Sequence, residues 1–198
     1  MRLENSFTVA SDPSTAWKLL LDVPAIAPCL PGAELTEVVG DRVYKGQAKV
    51  KVGPMLLAFA GTAEIVEIDE AARRARVRAK GQDRKGRGSA RADVSFTVEP
   101  DGSGTRVDVV TDLDLVGAVA QYGRASGLIH GIAGEITSQF ASNLESLLLA
   151  RQGAAAGSER EPAVATEKAK PVAGLSLVWR AIVASIRRWF GVSARASR

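Results

Sequence analysis

One histidine, His130, and one cysteine, Cys29, are the whole stock of imidazole and thiol in the 198 residues. One of each forms neither a metal cluster nor an internal disulfide. No G-x-S-x-G elbow, phosphate loop or G-x-G-x-x-G fingerprint occurs. His130 reads as an exposed or helix-edge residue, with proton donation to a ligand carbonyl as the lesser alternative. Cys29 reads as a small turn or core residue, because nothing near it in sequence would stabilise a thiolate. General acid–base catalysis needs a titratable group inside a pocket. The inward strand positions described below read as holding no Asp, Glu, His, Lys or Cys. What remains suits non-covalent chemistry: small and apolar side chains around a hydrophobic molecule, with Gln121 and Tyr122 as the few polar groups that orient it.

The elements that must position these residues follow from spacing. Residues 2–9 read as a strand. Asp12 precedes Pro13 as an N-cap precedes a first helical position, so a helix carrying Ala16, Trp17, Leu19 and Leu20 is expected. Prolines at 24 and 28 allow only a turn or a short helix there. Then come about six strands with a period of two. In 43–52, Tyr44, Gly46, Ala48, Val50 and Val52 share one face and the lysines at 45, 49 and 51 the other. In 73–81, Ala75, Val77, Ala79 and Gly81 oppose Arg74, Arg76, Arg78 and Lys80. The arginine row reads as a solvated face, with a docking surface for an acidic partner as the minor alternative. Alternation continues in 89–98 and 105–115. This is antiparallel sheet with one wet and one buried face. A glycine-rich stretch, 116–127, is not clearly regular and reads either as a simple loop or as a lid over the sheet's open end. A long helix is expected over 128–150, with Ile129, Ile132, Ile136, Phe140 and Leu147 in its stripe.

The predicted fold is therefore α+β: a curved antiparallel sheet around a long C-terminal helix. Its inward face is rich in Gly and Ala. Packed interiors tolerate few voids, so the sheet either collapses on the helix or encloses a ligand cavity. The number of small residues favours the cavity. The candidate ligand contacts are Phe59 and Gly61, Ala75 and Val77, then Ala92, Val94 and Phe96, followed by Leu113 and Leu115. Gln121 and Tyr122 come from the lid, Ile132 and Ile136 from the helix.

Charge divides the chain. Residues 1–150 hold 17 Lys/Arg and 19 Asp/Glu, and residues 151–198 hold nine Lys/Arg and three Glu. The basic balance belongs to the tail, which argues against nucleic-acid binding by the body. Residues 1–150 form the expected ligand-binding domain and 151–174 a disordered linker, rich in Ala, Gly, Glu, Pro and Lys. An amphipathic helix is expected over 175–192. Its apolar face carries Trp179, Ile182, Ile186, Trp189 and Phe190, with Arg180, Arg187 and Arg188 off that face. Such a helix suits the lipid headgroup boundary; a partner's groove and self-packing are the alternatives. Spanning needs about 20 mostly apolar residues, and the arginines interrupt this stretch. The N-terminus has no apolar signal region. A cytoplasmic protein, peripheral on the inner membrane, is the expectation.

Several motifs together resemble the family of the G subunit of carbon monoxide dehydrogenase, which belongs to the START-like, helix-grip superfamily. They are Asp12-Pro13 with Trp17, Cys29-Leu-Pro-Gly-Ala33, the basic strand ending Val52-Gly-Pro54, and Gly117…Gln121-Tyr-Gly-Arg124. The resemblance covers about 1–150 and extends to the linker and tail. It implies an accessory protein without catalysis, with a cavity for an apolar molecule and no covalently bound cofactor. A bound quinone or lipid is the implied ligand, and an isoprenoid quinone follows from partner logic. The implied partner is a molybdenum hydroxylase of the CO dehydrogenase type, recruited or served at the membrane. A START-like enzyme and a ligand-free anchoring scaffold are the rival readings.

Overall fold

The computed structural model describes residues 1–123 and 126–158. The expected amphipathic helix over 175–192, with its membrane-binding residues, and the linker beyond Ser158 lie outside the described residues.

The chain begins with β1 (Arg2–Val9), α1 (Pro13–Leu21) and α2 (Val23–Ile26), then a 3₁₀ turn over Ala27–Cys29. The Asp12 carboxylate accepts the backbone N–H groups of Ser14 (3.0 Å) and Thr15 (2.9 Å), two donors that no helical carbonyl reaches. Asp22 caps α2 in the same way, accepting from Ala25 at 3.2 Å. A six-strand meander follows: β2 (Ala33–Gly40), β3 (Val43–Val52), β4 (Met55–Asp69), β5 (Arg74–Asp83), β6 (Gly88–Asp101) and β7 (Gly104–Gly117). After β7 come α3 (Ala120–Gly123) and α4 (Ser126–Ser158).

All seven strands form one antiparallel sheet in the order β1-β7-β6-β5-β4-β3-β2. The meander thus returns β7 to the side of β1. Two glycines permit the sheet's tight coiling. A Cβ on Gly61 would stand 1.9 Å from the Lys80 carbonyl oxygen, and one on Gly46 would stand 2.7 Å from that of Glu34. Only a residue without a side chain fits such close backbone approach. The helix-grip expectation is met.

The long helix differs from expectation at both ends, running 126–158 rather than 128–150. Residues 151–158 are helical, not linker. Their composition, Arg-Gln-Gly-Ala-Ala-Ala-Gly-Ser, looks loose, but alanine propagates an established helix at little cost.

The main core fills one end of the sheet. Trp17, Leu19 and Leu20 of α1 and Phe140, Leu144 and Leu148 of α4 close on Val9, Ala75, Val98 and Val107. Leu144 has no exposed surface. Phe7 meets Phe140 edge-on at 5.7 Å, and Trp17 meets Phe96 at 5.8 Å, geometries that aromatic quadrupoles favour. The Trp17 indole N–H donates to Glu70 at 2.6 Å, and the Thr105 hydroxyl donates to the Ser11 carbonyl at 2.6 Å. On the outer face, Arg76 pairs with Glu67 (3.4 Å) and Arg78 with Asp93 (3.2 Å). The arginine row is a solvated face, with Arg76 and Arg78 ion-paired and Arg74 exposed.

Candidate functional site

At the other end of the sheet the small inward residues align across strands. One row runs Gly46, Gly61, Gly81, Ala90 and Leu115 from β3 to β7. The next runs Tyr44, Ala63, Ala79, Ala92 and Leu113. Alternation places each residue inward, and antiparallel register places small beside small. Above these rows α4 presents Ile129, Ile132, Ala133 and Ile136, and α3 with its approach presents Val119 and Tyr122. These side chains do not reach a floor made of glycine and alanine. The result is a cavity of about 460 Å³ with an almost wholly apolar wall, within the range of about 300–1,000 Å³ usual for small-molecule sites.

Eight expected contact residues line this cavity: Phe59, Gly61, Ala92, Leu113, Leu115, Tyr122, Ile132 and Ile136. Five do not. Ala75 is buried in the main core, and Phe96 packs against that core beside Trp17. Val77 and Val94 oppose each other one step further along the strands, between core and cavity. All four are inward, as alternation requires, but α1 rather than empty space stands near Ala75 and Phe96. Gln121 is exposed, because the turn of α3 directs Tyr122 inward and its neighbour out.

Alternation followed to the end of β5 also reveals a residue that the spacing argument passed over. Asp83 continues the series Ala75, Val77, Ala79, Gly81, so an acid does occupy an inward position, contrary to expectation. Its side chain is fully buried. Arg87 grips both carboxylate oxygens, Nη2 at 2.7 Å and Nε at 2.8 Å. The backbone N–H groups of Lys85 (3.0 Å), Ala58 (3.2 Å) and Arg87 (3.3 Å) donate as well. The Arg87 guanidinium, followed by these amides, holds the Asp83 carboxyl well below the usual carboxylate range despite its burial. Arg87 also donates to the Leu56 carbonyl at 3.0 Å, and its own carbonyl accepts from Val119 at 3.1 Å. A group so committed is a latch that ties the β3–β4 and β5–β6 hairpins to Val119 before α3, not a proton carrier.

The two tyrosine hydroxyls of the cavity wall are engaged too. Tyr122 donates its hydroxyl to the Met55 sulfur at 2.8 Å, and the Tyr44 hydroxyl lies 3.4 Å from the Asp41 carbonyl. Burial pushes the Cys29 thiol up, which keeps it protonated, and its carbonyl accepts from Asn143 at 2.9 Å. His130 is exposed on α4 and does not line the cavity. Among the described residues, no group of three or more His, Cys, Asp or Glu side chains is placed to hold a metal. No described helix is long and apolar enough to cross a membrane. The site can enclose an apolar molecule and match its shape.

Solved structures share this architecture. A conserved protein from Geobacillus kaustophilus is similar with a TM-score of 0.64 and 18% identity, over 74% of this chain and 93% of its own. A Thermus thermophilus protein matches with a TM-score of 0.56 and 19% identity, over 76% and 99%. The Zhui aromatase/cyclase from a Streptomyces species matches with 0.55 and 17%, over 78% and 97%. At these identities the likeness is one of fold. Comparison with curated proteins gives no match. The sequence profile of one family, however, matches residues 6–149, nearly all of the sheet and most of α4. The chain belongs to the CoxG family, that of the G subunit of carbon monoxide dehydrogenase.

Proposed function

We propose that this domain is a non-enzymatic carrier for an apolar small molecule, with an isoprenoid quinone as the ligand. The observation that carries this reading is the cavity over the two rows of small residues. Its volume suits a substituted ring with part of a prenyl chain, and its wall offers few polar atoms to a charged or sugar-like ligand. The absence of an unengaged acid or base on the inward face among the described residues favours carriage over catalysis. The similarity to an aromatase/cyclase is one of fold and brings no catalytic group with it.

In this reading the protein serves a molybdenum hydroxylase of the CO dehydrogenase type, whose electrons must reach an apolar acceptor. The basic tail, through Trp179, Trp189 and Phe190 with Arg180, Arg187 and Arg188, holds the protein at the inner membrane surface from the cytoplasmic side, where anionic lipid attracts it. The test is mass spectrometry of an organic extract of the purified full-length protein. A prenylated quinone recovered in near-stoichiometric amount is the expected result. An extract without any apolar small molecule, combined with no uptake of added quinone, would leave only the scaffold reading.

A further inference from the structure

Charge is segregated along the body as sharply as packing is. Consider the hairpin ends that frame the cavity, residues 47–60 and 82–89. They carry Lys49, Lys51, Arg84, Lys85 and Arg87 against one acid, Asp83, which is buried against Arg87. Lys49, Lys51, Arg84 and Lys85 are exposed. None of these four makes an ion pair among the described residues. The opposite loops, 10–12, 40–42, 69–73 and 99–106, hold six acids and three arginines. Exposed aliphatic residues accompany the basic ones at this end, whereas Val38 and Val39, exposed at the opposite end, adjoin the acidic 40–42 loop. Leu56, 58% exposed, is the second residue of β4 and pairs with Lys51 near the β3–β4 turn. Val116, also 58% exposed, ends β7, and Leu128, 42% exposed, begins α4.

We infer that this end of the body docks on an anionic lipid surface, with Leu56, Val116 and Leu128 entering the headgroup layer and Lys51, Arg84 and Lys85 above them. Unpaired basic side chains ringing exposed aliphatic ones match the two demands of such a surface, charge and apolar burial. The acidic end would be repelled, so the orientation is set. Docked this way, the domain turns its cavity toward the bilayer, where an apolar ligand resides. The purpose rests on the carrier reading; the docking stands on charge and exposure alone.

The experiment uses the full chain with Leu56→Cys, labelled with an environment-sensitive dye; Cys29 is buried and stays unlabelled. A second protein carries the label at Ala71→Cys, an exposed turn residue at the acidic end. With phosphatidylglycerol-containing vesicles, the emission at position 56 should shift to the blue and that at position 71 should not. Lys51→Glu with Lys85→Glu should weaken the position-56 response at least about tenfold in lipid concentration, since each cation near an anionic surface is worth roughly fivefold in partitioning. The melting temperature of this variant reports that it folds. An unshifted label at 56, an equal shift at 71, or an equal response to phosphatidylcholine alone would each overturn the proposal. Quinone uptake measured without vesicles tests the carrier reading separately, so the two can fail independently.

Discussion

The two ends of this sheet obey the same alternation and reach opposite results. Along β5 the inward residues are Ala75, Val77, Ala79 and Gly81; along β6 they are Phe96, Val94, Ala92 and Ala90. At the first end, alanine is backed by Trp17, Phe140 and Leu144, and Ala75 is 1% exposed. At the second end α1 is absent, and the isoleucines of α4 stand over glycine and alanine without filling the gap. A small side chain therefore does not make a cavity. What stands opposite does, and that is set by where α1 crosses the sheet. The same division carries the charge, acidic at the packed end and basic at the hollow one.

The strongest way to break this contrast is to delete equal side chains at both ends. Leu144→Ala should cost about 2–5 kcal/mol in chemical denaturation, the usual cost of a fully buried leucine. Ile132→Ala should cost less than half as much, because its side chain already borders empty space. Equal losses would mean that the hollow end is collapsed in solution.

A second test concerns the latch at the hollow end. The Asp83 carboxyl titrates lower in the folded chain than in the unfolded one, where the ordinary value is about 3.9. Its contribution to stability is therefore complete above that value and is lost as the pH falls toward its folded pKa. Asp83→Asn should lower the unfolding midpoint clearly at neutral pH. The gap to the parent should narrow at about pH 3 and below. A gap that does not change with pH would show that geometry, not charge, holds the latch. The smallest effect is expected on the outer face. Arg78→Ala should change stability by less than about 1 kcal/mol, and raised salt should reduce even that, because Arg78 and Asp93 are both about half exposed.

Much of this division is legible in the order of residues, and the illegible part has physical causes. A period of two identifies inward residues without reference to anything else, so the small-residue rows and eight cavity contacts follow from spacing. The Asp12-Pro13 pair announces α1 through local capping chemistry. The position of an inward residue relative to α1 and α4 is a tertiary quantity, which is why Ala75, Val77, Val94 and Phe96 read as cavity residues. Asp83 is within reach, since its alternation is unbroken from Ala75, but a charged strand end invites reading as a turn. Gln121 depends on the rotation of a four-residue helix. The helical run to Ser158 hides in a composition that linkers share.

If the hollow end is empty, apolar space that a ligand fills, one pair of variants must behave in opposite ways. Ala75→Leu and Ala92→Leu add the same atoms to neighbouring strands at inward positions. The measurement is the melting temperature of the ligand-free proteins, read beside their uptake of a quinone. Ala75→Leu should overpack the core, cost roughly 1–3 kcal/mol and leave uptake intact. Ala92→Leu should leave stability unchanged or raise it by about 1–2 kcal/mol, since the added carbons bury surface in open apolar space, while quinone uptake falls. An Ala92→Leu protein that melts as low as the Ala75→Leu protein, from a parent that takes up no quinone, would contradict the account.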